Sequence, residues 1–155
     1  MEAVELESMN TLLKGEISAV ESYVKALENV KVAKVAELLQ QARDSHAERV
    51  DRLRNAIIES GGQPIESSGL WGGFAKLVTN AASAMGDSAI VAALEEGEDV
   101  GSNEYEWKML NIHGDNRALI RDELWPKQKA THKLISQLVH ENTAGVAPAP
   151  DTRDG

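Results

Sequence analysis

Residues 16–23 read Glu-Ile-Ser-Ala-Val-Glu-Ser-Tyr, and this stretch places a carboxylate in the apolar stripe of an amphipathic helix. Apolar residues recur around it at intervals of three and four, which is the spacing of one helix face. The stripe consists of Met9, Leu13, Glu16, Val20, Tyr23, Leu27 and Val30. An ionised carboxylate in a protein core needs a cation, a metal ion or several hydrogen bonds. The sequence therefore predicts a buried partner for Glu16.

The pattern Glu-x-x-small-x-x-x-Tyr returns downstream, in residues 98–105. Glu98 again interrupts an apolar stripe, which is formed by Val91, Leu94, Gly101, Tyr105, Met109 and Ile112. Two other amphipathic stretches each have one histidine in their stripe, His46 and His132. If four antiparallel helices of similar length carry these residues, all four lie at one level, because each is about 10 to 15 residues from its helix start. The spacing predicts two glutamates and two histidines that meet at the centre of a bundle.

The composition predicts a single all-α domain. The chain has 155 residues, of which 42% are hydrophobic and 4% aromatic, and it lacks the runs of Val, Ile and Thr that are typical of strands. A formal net charge of −9 argues against a nucleic-acid partner, whose phosphates would repel the protein. Cysteine is absent, which excludes disulfides and thiolate ligands. No apolar run reaches the ~18 residues of a membrane span and no export signal is evident, so we expect a cytoplasmic protein without a membrane partner.

Helix-start and helix-stop signals divide the chain into four long helices and one short helix. The long helices are predicted over residues 2–29, 32–60, 88–113 and 117–140, and the short helix over residues 70–84. Short turns make each successive pair of long helices an antiparallel hairpin, and the short helix crosses between the hairpins. Pro126 lies inside the last helix and predicts a bend or a missing backbone hydrogen bond. We expect the bundle to span residues 1–141 and residues 142–155 to form a flexible tail.

These residues resemble the ferritin-like superfamily of di-iron carboxylate bundles. In that superfamily the first and third helices carry Glu-x-x-Ala-x-x-x-Tyr, and the second and fourth carry Glu-x-x-His. The first copy of the Glu-x-x-Ala-x-x-x-Tyr motif is complete, with Glu16, Ala19 and Tyr23. The second copy has Glu98 and Tyr105, with Gly101 in place of alanine. Residues 70–74 and 93–99 are similar to a bacterial ferritin-like family known only as a domain of unknown function. The resemblance implies an antiparallel four-helix bundle with one crossover.

The resemblance fails at two carboxylates that would complete a di-iron site. Arg43 lies three positions before His46, and Lys129 lies three positions before His132, where the superfamily has glutamate. One interpretation is that both cations turn inward and pair with the glutamates, which gives a metal-free layer. The other is that they extend outward and leave a site for one divalent ion, such as iron, zinc or manganese. That site would use Glu16, His46, Glu98 and His132, with Tyr23, Tyr105 and Gln128 around it.

The sequence favours a non-enzymatic bundle with a degenerate Glu/His centre, and two other classes remain open. A di-metal oxidoreductase of the ferroxidase or peroxidase type would need substitute carboxylates, for which the candidates are Asp44, Glu48 and Glu95. A module that forms a homodimer would use the predicted helix around residues 71–78, or the surface around Trp107 and Trp125.

Overall fold

The computed structural model describes residues 1–68, 78, 80 and 86–144, with the backbone alone in residues 142–144. No strand occurs among these residues. The helices are α1 (Ala3–Leu27), α2 (Ala33–Glu59), α3 (Asp87–Lys108), α4 (Gly114–Leu119) and α5 (Trp125–Ala144). A 3₁₀ turn (Met109–Asn111) follows α3, and a π-helical turn (Ile120–Leu124) joins α4 to α5. The predicted fold class, an all-α four-helix bundle, is confirmed.

Contacts at the two ends of the bundle define the order of the helices. At one end, the Asn116 side chain donates to Ser60 Oγ, which places the end of α2 beside the start of α4. At the other end, the Asp87 carboxylate accepts the backbone N–H groups of Lys31 and Val32, each at 2.9 Å. α1 and α2 form one antiparallel hairpin, α3 and α5 form the second, and α1 packs against α3 while α2 packs against α5. The start of α3 lies beside the start of α2, whereas α2 ends at the opposite end of the bundle, so these two helices run parallel.

Two predicted segments lie largely outside the described residues. The crossing helix predicted over residues 70–84 is one of them, although Val78 and Asn80 within it are described and helical, and Val78 is fully buried. The tail predicted over residues 142–155 is the other, apart from residues 142–144, where α5 continues.

The core consists of two apolar clusters with polar side chains between them. The first cluster includes Tyr23, Ala26, Val35, Leu39, Ala42, Val78, Ile90, Val91, Ala93, Leu94, Ile135 and Leu138. The second includes Met9, Leu12, Leu13, Val50, Leu53, Ala56, Ile57, Tyr105, Ile112, Ile120 and Leu124. Six buried side chains lie between the clusters, and we call them the polar layer: Glu16, His46, Arg49, Glu98, Gln128 and Thr131. Burying a large apolar side chain contributes about 1.5–3 kcal/mol, so the clusters supply the stability that allows a polar layer inside the bundle.

The last long helical run is irregular immediately before Pro126. Proline has no backbone N–H, so the carbonyl of Asp122 cannot accept the usual α-helical hydrogen bond. Here the N–H of Trp125 bonds to the carbonyl of Ile120, five residues earlier, which is the pattern of a π turn. The sequence predicted a bend or a missing bond at this proline, and the structure has the π turn.

Candidate functional site

Glu16 points from α1 into the bundle and meets two cationic side chains. Its Oε2 lies 2.6 Å from His46 Nδ1, and its Oε1 accepts a hydrogen bond of 3.1 Å from Arg49 Nη1. The hydroxyl of Tyr105 on α3 also donates to Oε1, at 2.8 Å. Both cations come from α2, in the same hairpin as Glu16. The buried partner predicted for this carboxylate therefore exists, and it consists of an arginine and a histidine.

Glu98 on α3 is the second buried carboxylate. Its Oε1 lies 2.6 Å from His46 Nε2 and accepts a hydrogen bond from the Tyr23 hydroxyl, also at 2.6 Å. Its Oε2 accepts from Gln128 Nε2 and from Thr131 Oγ1, at 2.9 Å each. Four donors from three other helices thus surround one carboxylate.

His46 bridges the two carboxylates with both of its ring nitrogens. A ring that faces an acceptor on each nitrogen needs a proton on each, which is the imidazolium form. Burial alone would lower the pKa of His46, but the charge of Glu16, supported by Glu98, outweighs burial and raises the pKa above its ordinary value of 6.5. The Tyr23 ring stacks on the imidazole, with ring centroids 5.3 Å apart. The geometry and the charges both favour a protonated histidine at the centre.

The carboxylates and tyrosines keep the protonation states that this arrangement needs. Burial alone would raise the pKa of Glu16, but Arg49 and His46 outweigh it and hold the pKa below the ordinary 4.5. Burial alone would also raise the pKa of Glu98, but His46 outweighs burial and holds this pKa below 4.5 as well. Burial and the neighbouring carboxylates raise the pKa of Tyr23 and Tyr105 well above 10. Both phenols therefore remain hydrogen-bond donors.

Arg49 is, together with Thr131, a member of the polar layer that the sequence analysis missed. Its side chain is 0% exposed, and besides Glu16 its Nη1 donates to Gln128 Oε1. Its Nη2 donates to Thr131 Oγ1 at 3.1 Å, and its Nε donates to the carbonyl of Ser45 at 3.3 Å. The polar layer thus contains two carboxylates, one guanidinium and one imidazolium, and these charges balance.

Three residues named in the sequence analysis lie outside the polar layer: His132, which was expected at the centre, and Arg43 and Lys129, for which an inward and an outward orientation were both left open. Arg43 pairs with the neighbouring aspartate at 3.0 Å. The Lys129 ammonium lies 3.9 Å from the centre of the Trp125 ring. His132 Nε2 lies 2.6 Å from Asp99 Oδ1, and about a third of the His132 side chain is exposed. The structure does not bring His132 to Glu16 and Glu98, and Arg49 has the inward position that one of the two interpretations gave to Arg43 and Lys129.

The carboxylates proposed as substitute metal ligands also lie outside the polar layer. Asp44 pairs with its neighbouring arginine, Glu48 pairs with Lys127, and Glu95 accepts from Ser136 Oγ at 3.3 Å. Within the described part of the chain, no group of three or more His, Asp and Glu side chains is arranged to hold a metal ion.

Four inward side chains at the centre of the first hairpin each have a counterpart 82 positions later. The pairs are Glu16 and Glu98, Tyr23 and Tyr105, His46 and Gln128, and Arg49 and Thr131. The inward positions of α2 and α5 are therefore 46/49 and 128/131, whereas the sequence analysis used 43/46 and 129/132. On α2 the two choices differ by three residues, which lie on nearly the same helix face. On α5, residues 131 and 132 lie three and four positions after Gln128, so either could share its face. The constant separation was the signal that could have identified Arg49.

A cavity of about 90 Å³ lies between α1 and α3 and reaches the polar layer. Small residues on the facing sides of the two helices leave this space; they are Gly15, Ala19, Gly97 and Gly101. An added Cβ at Gly101 would lie 2.9 Å from Gln128 Nε2, the amide nitrogen that binds Glu98. Glycine at this motif position therefore makes room for Gln128.

These features define a class of protein, an all-α four-helix bundle built around a buried network of glutamate, histidine and arginine. Residues 4–110 match the family described as a domain of unknown function (DUF2383), and the chain belongs to this family. The similarity that the sequence predicted is confirmed at that level. The match contains six of the residues at or around the centre, namely Glu16, Tyr23, His46, Arg49, Glu98 and Tyr105. It ends before α4, so Gln128 and Thr131 lie beyond it.

Comparisons with curated proteins and with solved structures found no match. None of the described helices combines the length and the apolar character that crossing a membrane requires.

Proposed function

We propose that this protein is a ferritin-like bundle that works without a metal ion, as a non-enzymatic helical module whose hairpins are joined by the polar layer. The position of Arg49 supports this proposal. Its guanidinium is buried between Glu16 on α1 and the Gln128 and Thr131 side chains on α5. In ferritin-like metalloproteins, metal ions supply the positive charge at this level of the bundle. Here Arg49 and the His46 imidazolium supply it.

The charge balance of the polar layer supports the absence of a further cation. Two buried carboxylates face one guanidinium and one imidazolium. Buried charges are tolerated when they are paired and hydrogen-bonded, and this pairing is complete. A divalent ion would add unpaired positive charge next to a guanidinium in a region of low dielectric constant, where repulsion is strong.

The hydrogen-bonding capacity of the layer supports the same conclusion. Each oxygen of Glu98 already interacts with two donors, and both nitrogens of His46 face carboxylate oxygens. A histidine ligand must be neutral and must offer a free lone pair. Metal binding to His46 would therefore require loss of its proton and of its contact with a glutamate.

The direct test is to purify the protein without an affinity tag and to measure bound metal by elemental analysis. We expect much less than one ion per chain, and no change in the midpoint of thermal unfolding when iron(II), manganese(II) or zinc(II) is added. Glu16→Ala and His46→Ala should leave the metal content unchanged. A full equivalent of metal that is lost in both variants but kept in Arg43→Ala would contradict the proposal.

A gain-of-metal variant tests the specific role of Arg49. Four substitutions, His46→Glu, Arg49→His, Gln128→Glu and Thr131→His, would install Glu-x-x-His at the inward positions of α2 and α5. If Arg49 and its partners stand where the metal ligands of ferritin-like proteins stand, this variant should bind iron(II) and the wild-type protein should not.

The matched control completes the same motif at the positions first chosen from the sequence. Arg43→Glu with Lys129→Glu creates Glu-x-x-His ending at His46 and at His132. Because residues 43, 129 and 132 lie at the surface, we expect no iron binding in this control. Iron binding by the control and not by the fourfold variant would show that the inward positions are assigned incorrectly.

An oxidoreductase is the rival class, and iron(II) oxidation separates it from the proposal. We expect the protein to oxidise iron(II) in air no faster than buffer does. Catalysed oxidation that disappears in Glu98→Ala would replace the non-enzymatic assignment.

A second candidate function, association with another copy of the chain, is favoured by apolar side chains exposed along α3 and its end. Val100, Trp107 and Leu110 lie on one side of this segment, and Trp107 is 68% exposed. Large apolar side chains grouped on a surface are typical of association sites. Sedimentation velocity should show a dimer for the wild type and a monomer for Trp107→Glu. A monomeric wild type would exclude this candidate.

A further inference from the structure

The cavity between α1 and α3 contains a carboxylate that the polar layer does not use. Glu104 on α3 lines the cavity, and its Oε2 is buried without a hydrogen-bond partner. Among the described side chains, Glu104 Oε2 is the one buried nitrogen or oxygen atom that has no hydrogen-bond partner. Glu16 and Glu98 also line the cavity, but the oxygens of both are bound to donors within the protein.

An unpartnered carboxylate oxygen indicates which chemical group is missing. Burial removes its hydrating water, and the loss is compensated when a donor takes the place of the water. A positively charged N–H donor does this best, because charge-assisted hydrogen bonds are the stronger ones. Among the described residues that line the cavity, none is a lysine or an arginine. Both nitrogens of His46, which also lines the cavity, are already engaged by Glu16 and Glu98, so a positively charged donor for Glu104 has to come from another molecule.

The remaining wall of the cavity restricts the size and polarity of that molecule. Leu12 and Val100, which lies one turn before Glu104 on α3, supply apolar surface near this carboxylate. Gly15 and Val100 are both exposed and lie where solvent can reach the cavity. Its volume of about 90 Å³ is smaller than the ~150 Å³ cavity that holds benzene, so a compact chain of about four or five non-hydrogen atoms fits.

We propose that this cavity binds a small primary alkylammonium ion, whose nitrogen donates to Glu104 Oε2 and whose alkyl chain packs against Leu12 and Val100. The negative charge of the chain, −9, also favours the approach of a cation. Although the cavity reaches the polar layer, Glu104 forms no contact of that layer, so this proposal does not rest on the absence of a metal ion at the centre.

The test is a titration of the full-length protein with butylammonium chloride, followed by two-dimensional ¹H–¹⁵N NMR at constant ionic strength. We expect saturable shifts in residues 11–19 and 97–105, which line the cavity. Three compounds serve as controls: butan-1-ol has the alkyl chain without the charge, butyrate has a similar chain with a negative charge, and ammonium has the positive charge without the chain. Each should bind at least about tenfold more weakly than butylammonium. Equal affinity for butan-1-ol, or no saturable shift with butylammonium, would overturn the proposal.

Two variants test the assigned contacts. Glu104→Gln should weaken butylammonium binding at least about tenfold, whereas Glu106→Gln, an exposed carboxylate on the same helix, should leave it unchanged. Gly15→Leu should block the cavity, since a Cβ at this position meets no atom within 4 Å and the larger side chain has room. Circular dichroism confirms that each variant is folded. Unchanged affinity in Glu104→Gln would show that the carboxylate is not the binding group.

Discussion

The two hairpins of the bundle place different chemistry at equivalent positions. In the α1–α2 hairpin, one buried glutamate is accompanied by two cations, His46 and Arg49. In the α3–α5 hairpin, one buried glutamate is accompanied by two neutral residues, Gln128 and Thr131. The first hairpin therefore buries an excess positive charge and the second an excess negative charge. Neither hairpin neutralises its own centre, and the balanced layer exists when the two are packed together.

Reciprocal hydrogen bonds from tyrosine strengthen this dependence. Tyr23 of the first hairpin donates to Glu98 of the second, and Tyr105 of the second donates to Glu16 of the first. His46 also reaches across to Glu98. A slip of one helical turn, about 5.4 Å, would break all of these contacts at once. The polar layer thus specifies the register in which the hairpins pack.

The largest effect is expected from removing the buried guanidinium. Arg49→Met keeps most of the side-chain volume but leaves Glu16, Gln128 and Thr131 without their shared donor. Removing one partner of a buried ion pair costs about 3–5 kcal/mol, so we expect a loss of this size in the free energy of unfolding, measured by urea denaturation.

The control for this variant is an arginine on the same helix whose ion pair is exposed. Arg52 binds Glu123 at 2.8 Å, and nearly half of its side chain is in solvent. Arg52→Met should cost less than about 1 kcal/mol. Equal losses in the free energy of unfolding for Arg49→Met and Arg52→Met would mean that the buried cation of the first hairpin does not stabilise its packing against the second hairpin.

A smaller, pH-dependent effect is expected from His46→Gln, which gives both hairpins the same residue at this position. The folded pKa of His46 is raised above 6.5, so its contribution to stability is complete below about pH 6.5 and is lost as the pH rises through the folded pKa. The pKa values of Glu16 and Glu98 are lowered below 4.5, so their contributions are lost as the pH decreases through those values. Stability should be greatest between these limits.

The measurement is the free energy of unfolding of the wild type and of His46→Gln across this pH range. In the wild type, stability should decrease as the pH rises above 6.5, and in His46→Gln this decrease should be absent. The decrease at acidic pH should be smaller in the variant, because Arg49 still lowers the pKa of Glu16 whereas Glu98 has lost His46, the main cause of its lowered pKa. A wild type whose stability increases above pH 6.5 would exclude a raised pKa for His46.

The smallest effects are expected from His132, which the sequence analysis placed at the centre, and from Arg43 and Lys129, whose orientation it left open; all three lie outside the polar layer. His132→Gln, Arg43→Met and Lys129→Met each remove an exposed or half-exposed contact. Each should change the free energy of unfolding by less than about 1 kcal/mol, and His132→Gln is the matched comparison for His46→Gln. A large loss in His132→Gln would place this histidine in the central network after all.

The sequence was sufficient to predict the four long helices and the burial of Glu16, His46 and Glu98. Apolar spacing defines a helix face clearly, and a carboxylate or histidine within that face is buried together with it when the helix packs. These predictions depend on periodicity within one helix. They required no knowledge of the neighbouring helix.

The sequence was not sufficient where neighbouring helices decide the outcome. Arg49 lies at the margin of the α2 stripe, and a long cation in that position usually extends to solvent along an apolar surface. On α5, Thr131 and His132 are adjacent, and either could follow Gln128 on the inward face. Asp99 binds His132 outside the bundle while Glu98 binds Thr131 inside it, so contacts with α3 choose between them.

Asp87 shows how one side chain can set the limits of two helices. It begins α3, and its carboxylate also receives the backbone N–H groups that precede α2, 56 and 55 positions earlier in the chain. α2 has no acidic residue in its first turn, and Val32 offers no side-chain cap. Since the two helices run parallel, the positive ends of both dipoles share this single negative charge. A peptide that contained the first hairpin alone would therefore fray at the start of its second helix.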